Sequence, residues 1–256
     1  MKLFVDVHGT AQNAEPVLLV HGLGGTSNVW GPQAGVLSRL QFVLCPDNRG
    51  CGRSPRAAEV SIAGLVEDLV ELLDERGLGA VHLVGHSLGS VVAQHLAVLH
   101  PQRVRSLVLV GPIHSPVDAT RNALRERAVK ARSEGLLGIA NLTVQVGLSA
   151  ESKAHRPEVA AFVRELVMGQ QADAYALHCE AIADIEGASL QRLRCPTLVV
   201  TGDEDATSPP VVARALAAQI PGARFELLSR CGHWASLEQP QALSRLILDF
   251  MLAAHA

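Results

Sequence analysis

The chain has 256 residues, 48 % of them apolar and 18 % charged, with 22 Lys and Arg against 25 Asp and Glu and a formal net charge of −3. A chain of this length buries roughly 70–75 % of its unfolded surface and needs no disulfide or metal to hold a core. The near-neutral balance excludes a nucleic-acid-coating surface, which requires a clustered basic excess, and equally an acidic disordered tail.

The first ten residues carry one Lys and an alternating segment that soon meets Asp6 and His8, unlike the long apolar run of a signal peptide. No later stretch approaches the roughly 18 apolar residues of a membrane span, so a cytoplasmic protein without membrane attachment is expected. Short apolar runs then predict strands at 4–7, 17–20, 42–44, 81–84, 107–110, 197–200 and 225–228. Several are continuous rather than alternating, as strands covered on both faces are. Between them lie segments of helical period. In the clearest, 62–76, Ile62, Leu65, Val66, Leu69, Val70 and Leu73 form one stripe, and Glu67, Asp68, Glu71, Asp74 and Glu75 are assigned to the opposite face. Gly77 ends it. Segments 91–99, 211–220 and 242–254 also read as helices. Strands alternating with helices predict a mostly parallel, twisted α/β sheet of about seven strands.

From 115 to 192 no strand pattern occurs, only helical patterns at 119–133, 136–146, 157–168 and 172–183. So long a block exceeds an ordinary connection and predicts a helical insertion over one edge of the sheet, a lid. The core then comprises 1–114 and 193–256. The five cysteines, Cys45, Cys51, Cys179, Cys195 and Cys231, are odd in number with no CxxC pair, which predicts reduced thiols.

Gly85-His86-Ser87-Leu88-Gly89 directly follows a predicted strand and opens a predicted helix. A GxSxG match alone is weak, but between strand and helix it describes a tight, strained turn that lifts a serine above the sheet end. A serine needs a base. Among eleven histidines, His233 lies on a loop between the last predicted strand and the last helix, at the same sheet edge as Ser87. His82, His95 and His100 fall in or at the end of a strand or helix, and His8, His155, His178 and His255 near a turn, the lid or a terminus. A third group must orient the imidazole. The loop Thr201–Pro209 offers Asp203, Glu204 and Asp205; Asp205 is preferred for its place past the turn glycine, and Asp118 is a distant rival.

An oxyanion requires backbone donors, each worth roughly 3–4 kcal/mol. Leu88 N–H, next to the nucleophile, is one candidate; Leu23 N–H, within His21-Gly22-Leu23-Gly24-Gly25, is the other. The latter stretch begins like a dinucleotide-binding loop, but Ser27 stands where the third glycine belongs and no GxxxxGK[ST] occurs, so neither cofactor nor metal is expected.

The motifs together resemble the α/β-hydrolase fold over essentially the whole chain. His21–Gly25 is similar to the family's oxyanion loop, Asp47-Asn48-Arg49-Gly50-Cys51-Gly52-Arg53-Ser54 to its D-x-R-G-x-G-x-S loop, Gly85–Gly89 to the nucleophile elbow, Gly202–Pro209 to the acid turn and Gly232-His233 to the histidine loop. The resemblance implies Ser87, Asp205 and His233 as a triad. Within the family the chain resembles 3-oxoadipate enol-lactonases and related small carboxylesterases, which differ at His86 and carry methionine at the position of Leu88. It also implies a sheet beginning at the family's second strand. The expected activity is hydrolysis of a small-molecule carboxylic ester or lactone, with no nucleic-acid partner. The alternatives are hydrolysis of a carbon–carbon bond in a β-diketone-like substrate, or a non-catalytic small-molecule receptor on the same scaffold.

A carboxylate-bearing substrate would favour a cation in the pocket. On the first lid helix Arg121, Arg125 and Arg132 share a stripe, with Arg127 and Lys130 interspersed; a charged stripe of this kind is expected to face water. Trp30 and Trp234 flank the candidate loops and are expected to serve as packing residues.

Overall fold

A computed structural model describes residues 1–10 and 15–254; His255 lies outside the described residues. Seven strands occur among them: β1 Val5–His8, β2 Pro16–Val20, β3 Phe42–Pro46, β4 Val81–His86, β5 Val104–Val110, β6 Thr197–Gly202 and β7 Arg224–Leu228. Their order in the sheet is β1-β3-β2-β4-β5-β6-β7. β1 runs antiparallel to β3, and every other pair is parallel.

The continuous apolar runs have a simple cause. Leu18, Val20, Leu83, Leu107, Leu109 and Val199 feed one core, while Val17, Leu19, Val84, Val108, Val110, Leu198 and Val200 feed another. Successive side chains of a strand point to opposite faces, so a strand between two helical layers must be apolar at every position.

Eleven helices occur among the described residues: α1 Gly31–Leu37, α2 Ile62–Glu75, α3 Leu88–Leu99, α4 Asp118–Glu134, α5 Leu137–Gly147, α6 Ala150–His155, α7 Pro157–Met168, α8 Ala172–Ala183, α9 Pro210–Ala217, α10 Ala235–Glu238 and α11 Pro240–Ala253. α2 starts at Ser61, whose hydroxyl accepts from Gly64 N at 3.1 Å, the arrangement of an N-cap. Helices α4 to α8 all lie between β5 and β6, where the long helical block is expected.

One assignment within α2 is corrected. Asp68 does not face water with its acidic neighbours: it is 1 % exposed and chelated by Arg49, Nε to Oδ2 at 2.6 Å and Nη2 to Oδ1 at 2.8 Å. Three residues after Leu65 and four before Leu72, it sits on the apolar stripe itself. The pair ties the loop after β3 to α2.

Candidate active site

Because β2, β4, β5, β6 and β7 are parallel, the loops leaving their C-terminal ends gather at one edge of the sheet, where α/β folds carry their sites. There the structure brings Ser87, Asp205 and His233 together.

Ser87 joins β4 to α3 with φ +52° and ψ −116°, and among the described residues only Arg230 is another non-glycine with positive φ. Such a conformation costs roughly 1–3 kcal/mol. The elbow glycines are set by contact: a Cβ on Gly85 would overlap the Gly89 carbonyl, and one on Gly89 the Val20 carbonyl. Ser87 N–H donates to Val110 O at 3.0 Å, fixing the turn to β5. The Ser87 hydroxyl makes no hydrogen bond among the described residues and lines a cavity together with His233. Nucleophile–base hydrogen bonds commonly close only once substrate is bound.

His233 Nδ1–H donates to Asp205, at 2.9 Å to Oδ2 and 3.1 Å to Oδ1. Asp205 is 2 % exposed, and its Oδ1 also accepts from Thr207 N at 2.9 Å and Ser208 N at 2.7 Å. Burial alone would raise this carboxyl, but His233 and the two backbone N–H groups outweigh it and hold the group below its ordinary range. The rivals are engaged elsewhere or exposed. Asp203 accepts from Cys231 N and Glu204 from Ala150 N, while Asp118 is an exposed residue in the first turn of α4.

Leu23 and Leu88 both present backbone N–H groups at this edge. Leu88 is the first residue of α3, so its N–H has no carbonyl within the helix. Leu23 lines the cavity, and a buried histidine sets the direction of its N–H. Asn48 N–H donates to His21 Nε2 at 2.9 Å, which leaves the proton on Nδ1. That proton is donated to Gly22 O at 2.8 Å, and Gly25 N–H donates to the same oxygen at 3.1 Å. In a trans peptide C=O and N–H point oppositely. Anchoring Gly22 O on both donors therefore turns the Leu23 N–H away from them.

Three further residues shape the site without being evident from the motifs. Glu238 is buried, and its carboxylate accepts from Gly232 N at 3.0 Å and Trp234 N at 3.1 Å, gripping the backbone on both sides of His233; it also accepts from Ser149 N at 2.8 Å. His86 Nε2–H donates to His233 O at 2.8 Å. Gly111, at φ +49°, lies against the acid–base pair: a Cβ there would stand 3.0 Å from His233 Nδ1 and 3.1 Å from Asp205 Oδ2. Gly111→Ala would strain a left-handed backbone and press on the pair by a few tenths of an ångström, so kcat/KM should fall, by less than the roughly 100-fold of a misplacement near 1 Å. Steady-state kinetics beside a thermal melt check this, since a wild-type rate would mean the pair has room to spare.

Burial also keeps two histidines neutral, one beside His233 and one on α8. His86 is lowered to about 3, by burial and by the neighbouring His233; His178, packed against Cys51, is lowered to about 4, chiefly by burial. Each binds its proton more weakly folded than unfolded, where a histidine titrates near 6.5. Between those values the unfolded chain holds more protons. Stability is thus fully present above about pH 6.5 and falls with pH toward 3–4, by about 1 kcal/mol per pH unit for each histidine. Denaturant unfolding at several pH values should show this slope, and His178→Gln should remove about half of what the two contribute. A flat profile from pH 6.5 to 5 would contradict their neutrality.

The cavity measures about 490 Å³. Its lining is largely apolar, including Pro112, Ile113, Leu124, Ile182 and Trp234, and Val117, Leu142, Val146 and Val212 are exposed at its margin. Trp30 is a fully buried packing residue, whereas Trp234 both packs and lines the cavity. Among the described residues no group of three or more His, Cys, Asp or Glu is placed to hold a metal, and no helix is long and apolar enough to cross a membrane. All five cysteines are free thiols, and burial pushes Cys45, Cys51 and Cys179 up to about 12, so none is poised as a nucleophile.

An α/β sheet carrying a serine elbow, an acid loop and a histidine loop at one edge defines a hydrolase scaffold, and comparison with known proteins agrees. Residues 17–246 match the model of the alpha/beta hydrolase family, and the chain belongs to that family. It is 33 % identical to a Variovorax paradoxus protein named "Putative carbamate hydrolase RutD", over 100 % of this chain and 98 % of that one. A malate-bound thermophilic esterase from Thermogutta terrifontis superposes with a TM-score of 0.94 at 28 % identity, covering 99 % of this chain and 94 % of the other. An enol-lactonase from Burkholderia xenovorans does so with a TM-score of 0.90 at 29 % identity, covering 98 % and 96 %. The chain is a hydrolase of the α/β-hydrolase fold.

Proposed function

We propose that the chain hydrolyses small carboxylic esters or lactones through an acyl-enzyme on Ser87. The observation that carries this reading is a strained serine sharing a cavity with a histidine whose Nδ1–H is held by a buried carboxylate. Ser87 Oγ attacks the carbonyl carbon as His233 Nε2 takes its proton. The carbonyl oxygen becomes an oxyanion and is received by Leu23 and Leu88 N–H. Collapse of the intermediate breaks the acyl–oxygen bond, and His233 returns the proton to the departing alkoxide; in a lactone that oxygen stays tethered to the acyl group. Water, deprotonated by His233, then releases the acid and restores Ser87. Asp205 keeps its charge throughout and stabilises the imidazolium. Segment 115–192 acts as the lid over a core of 1–114 and 193–256, its helix α5 joined to the histidine loop by His233 N–H to Gly147 O at 2.7 Å.

A panel of 4-nitrophenyl esters of graded acyl length, an enol-lactone and an aryl carbamate, assayed with wild type and Ser87→Ala, tests the reading. The carbamate belongs in the panel because a relative bears that name. Ester or lactone turnover that vanishes in the variant is the expected result. Silence with Ser87 still labelled by a fluorophosphonate would redirect the reading to carbon–carbon bond hydrolysis. Silence in both assays would leave a binding module.

A further inference from the structure

Two histidines line the cavity, His233 and His114, and the proposed reaction uses only the first. His114 stands on the loop between β5 and α4, which α3 holds with two buried side chains. Ile113 N–H donates to Ser90 Oγ at 3.2 Å, and Gln94 Nε2–H donates to Ile113 O at 2.8 Å. Ser90 and Gln94 follow Ser87 by three and seven residues, on one face of the helix, so loop and nucleophile are carried by the same rigid element.

This network also decides the tautomer of His114. A carbonyl can only accept, so Ile113 O fixes the Gln94 amide with Nε2 toward it and Oε1 away. Oε1 lies 3.1 Å from His114 Nδ1, which must therefore carry the proton and donate it. Burial, and after it the neighbouring His95, lowers this histidine from its ordinary value and keeps the ring neutral. Nε2 is then a bare acceptor. It has no hydrogen bond among the described residues, yet it is not sealed from solvent as His86 Nδ1 is. Gly187 packs on the ring: a Cβ there would stand 2.4 Å from Nε2, 2.5 Å from Cε1 and 2.9 Å from Cδ2. An approach along the lone pair would leave Cε1 and Cδ2 much farther off than Nε2. Gly187 thus lies over the ring face, and the in-plane lone pair is clear of it. With Nδ1 on Gln94 and one face on Gly187, the Nε2 edge is what the ring offers the cavity, where an acceptor without a donor is costly to desolvate.

We infer that His114 is a specificity-determining residue whose Nε2 accepts a hydrogen bond from a hydroxyl of the substrate, so that the preferred esters or lactones carry a free hydroxyl group remote from the scissile carbonyl. This rests on the reading of Ser87 as the nucleophile of an ester hydrolase. Gln94 lies seven residues from Ser87, roughly 10 Å along α3. The hydroxyl therefore belongs several bonds from the carbonyl, and the apolar lining takes the chain between them.

The test sets each hydroxylated ester against the analogue in which methyl replaces hydroxyl. 4-Nitrophenyl 6-hydroxyhexanoate against the heptanoate puts the hydroxyl on the acyl side, and 4-hydroxybutyl acetate against pentyl acetate puts it on the leaving group. Wild type should prefer the hydroxylated member of at least one pair. In His114→Asn the amide N–H takes the place of Nδ1–H on Gln94, and nothing stands where Nε2 was. The ratio of kcat/KM, hydroxylated over methyl, should there fall about 10-fold, the scale of one hydrogen bond, with most of the change in KM and the melting temperature near wild type. His114→Gln, which returns an amide oxygen to the place of Nε2, should recover part of the preference. A residue that only holds its loop predicts both members of a pair falling together, and a ratio unchanged in His114→Asn for both pairs overturns the inference. The nitrogen-15 shift of His114 Nε2 in the Ser87→Ala protein requires no turnover. It should move on titration with 4-hydroxybutyl acetate or methyl 6-hydroxyhexanoate, and not with pentyl acetate or methyl heptanoate. That response supports the inference even where no ester is cleaved, and an Nε2 unmoved by either hydroxylated ester overturns it, so the fate of His114 is read separately from that of Ser87.

Discussion

Ser87→Ala should lower kcat by about 10⁶-fold, the scale on which removal of a triad nucleophile acts. The variant is a clean one, because the hydroxyl has no hydrogen bond to lose among the described residues and Ala retains the Cβ that fits the elbow. The melting temperature should therefore stay at the wild-type value while turnover disappears. The backbone donors at Leu23 and Leu88 and the cavity remain in place, so residual catalysis over water of about 10³- to 10⁴-fold is expected from them. KM should change little, since the missing oxygen acts in the transition state rather than in binding the ground state. More than about a tenth of wild-type kcat in the purified variant would remove Ser87 from the mechanism.

The sheet was legible because its physics is written in runs. A parallel strand between two helical layers is apolar at every position, and all seven predicted strands coincide with observed ones, β1 displaced by a single residue. The helices that escaped are α1, α6 and α10, of seven, six and four residues. Two turns or fewer give no repeat of the 3.6-residue period to detect. Asp68 was misplaced for another reason. Grouping it with the acids around it followed composition, while its spacing from Leu65 and Leu72 puts it on the apolar face, where only a partner such as Arg49, remote in sequence, makes burial tolerable.

The same contrast runs through the site. Ser87, Asp205 and His233 each sit in a turn with its own small-residue signature, and motif, place between predicted elements and family resemblance together point to them. Their supports act through backbone atoms, which leave no motif. His21 works by holding Gly22 O, and Glu238 by holding Gly232 and Trp234 N–H. Gly111 carried a usable signal, as a glycine closing the run Leu107–Val110 ahead of Pro112, in the place where a strand must bend past the acid–base pair.

Asp205→Asn should cost about 10⁴-fold in kcat while leaving the fold intact, because it reverses a proton rather than removing a contact. In the native loop one oxygen, Oδ1, accepts from Thr207 and Ser208 N–H, and Oδ2, the nearer of the two, accepts from His233 Nδ1–H. An asparagine must turn its carbonyl oxygen toward the two fixed backbone donors and so present its NH₂ to the imidazole. Two donors cannot share that contact, and the histidine adopts the tautomer protonated at Nε2, with Nδ1 accepting. The nitrogen needed to take the Ser87 proton is then already occupied. The imidazolium formed during attack also loses its counter-charge, and with Asp205 buried the neutral amide offers nothing in its place. The loss should thus fall on kcat, with KM near wild type, and rise in part at high pH, where hydroxide can bypass the base. Nitrogen-15 shifts of the His233 ring give the independent reading: protonation at Nδ1 in the wild type and at Nε2 in the variant. Wild-type tautomer with wild-type kcat in Asp205→Asn would exclude Asp205 as the orienting acid.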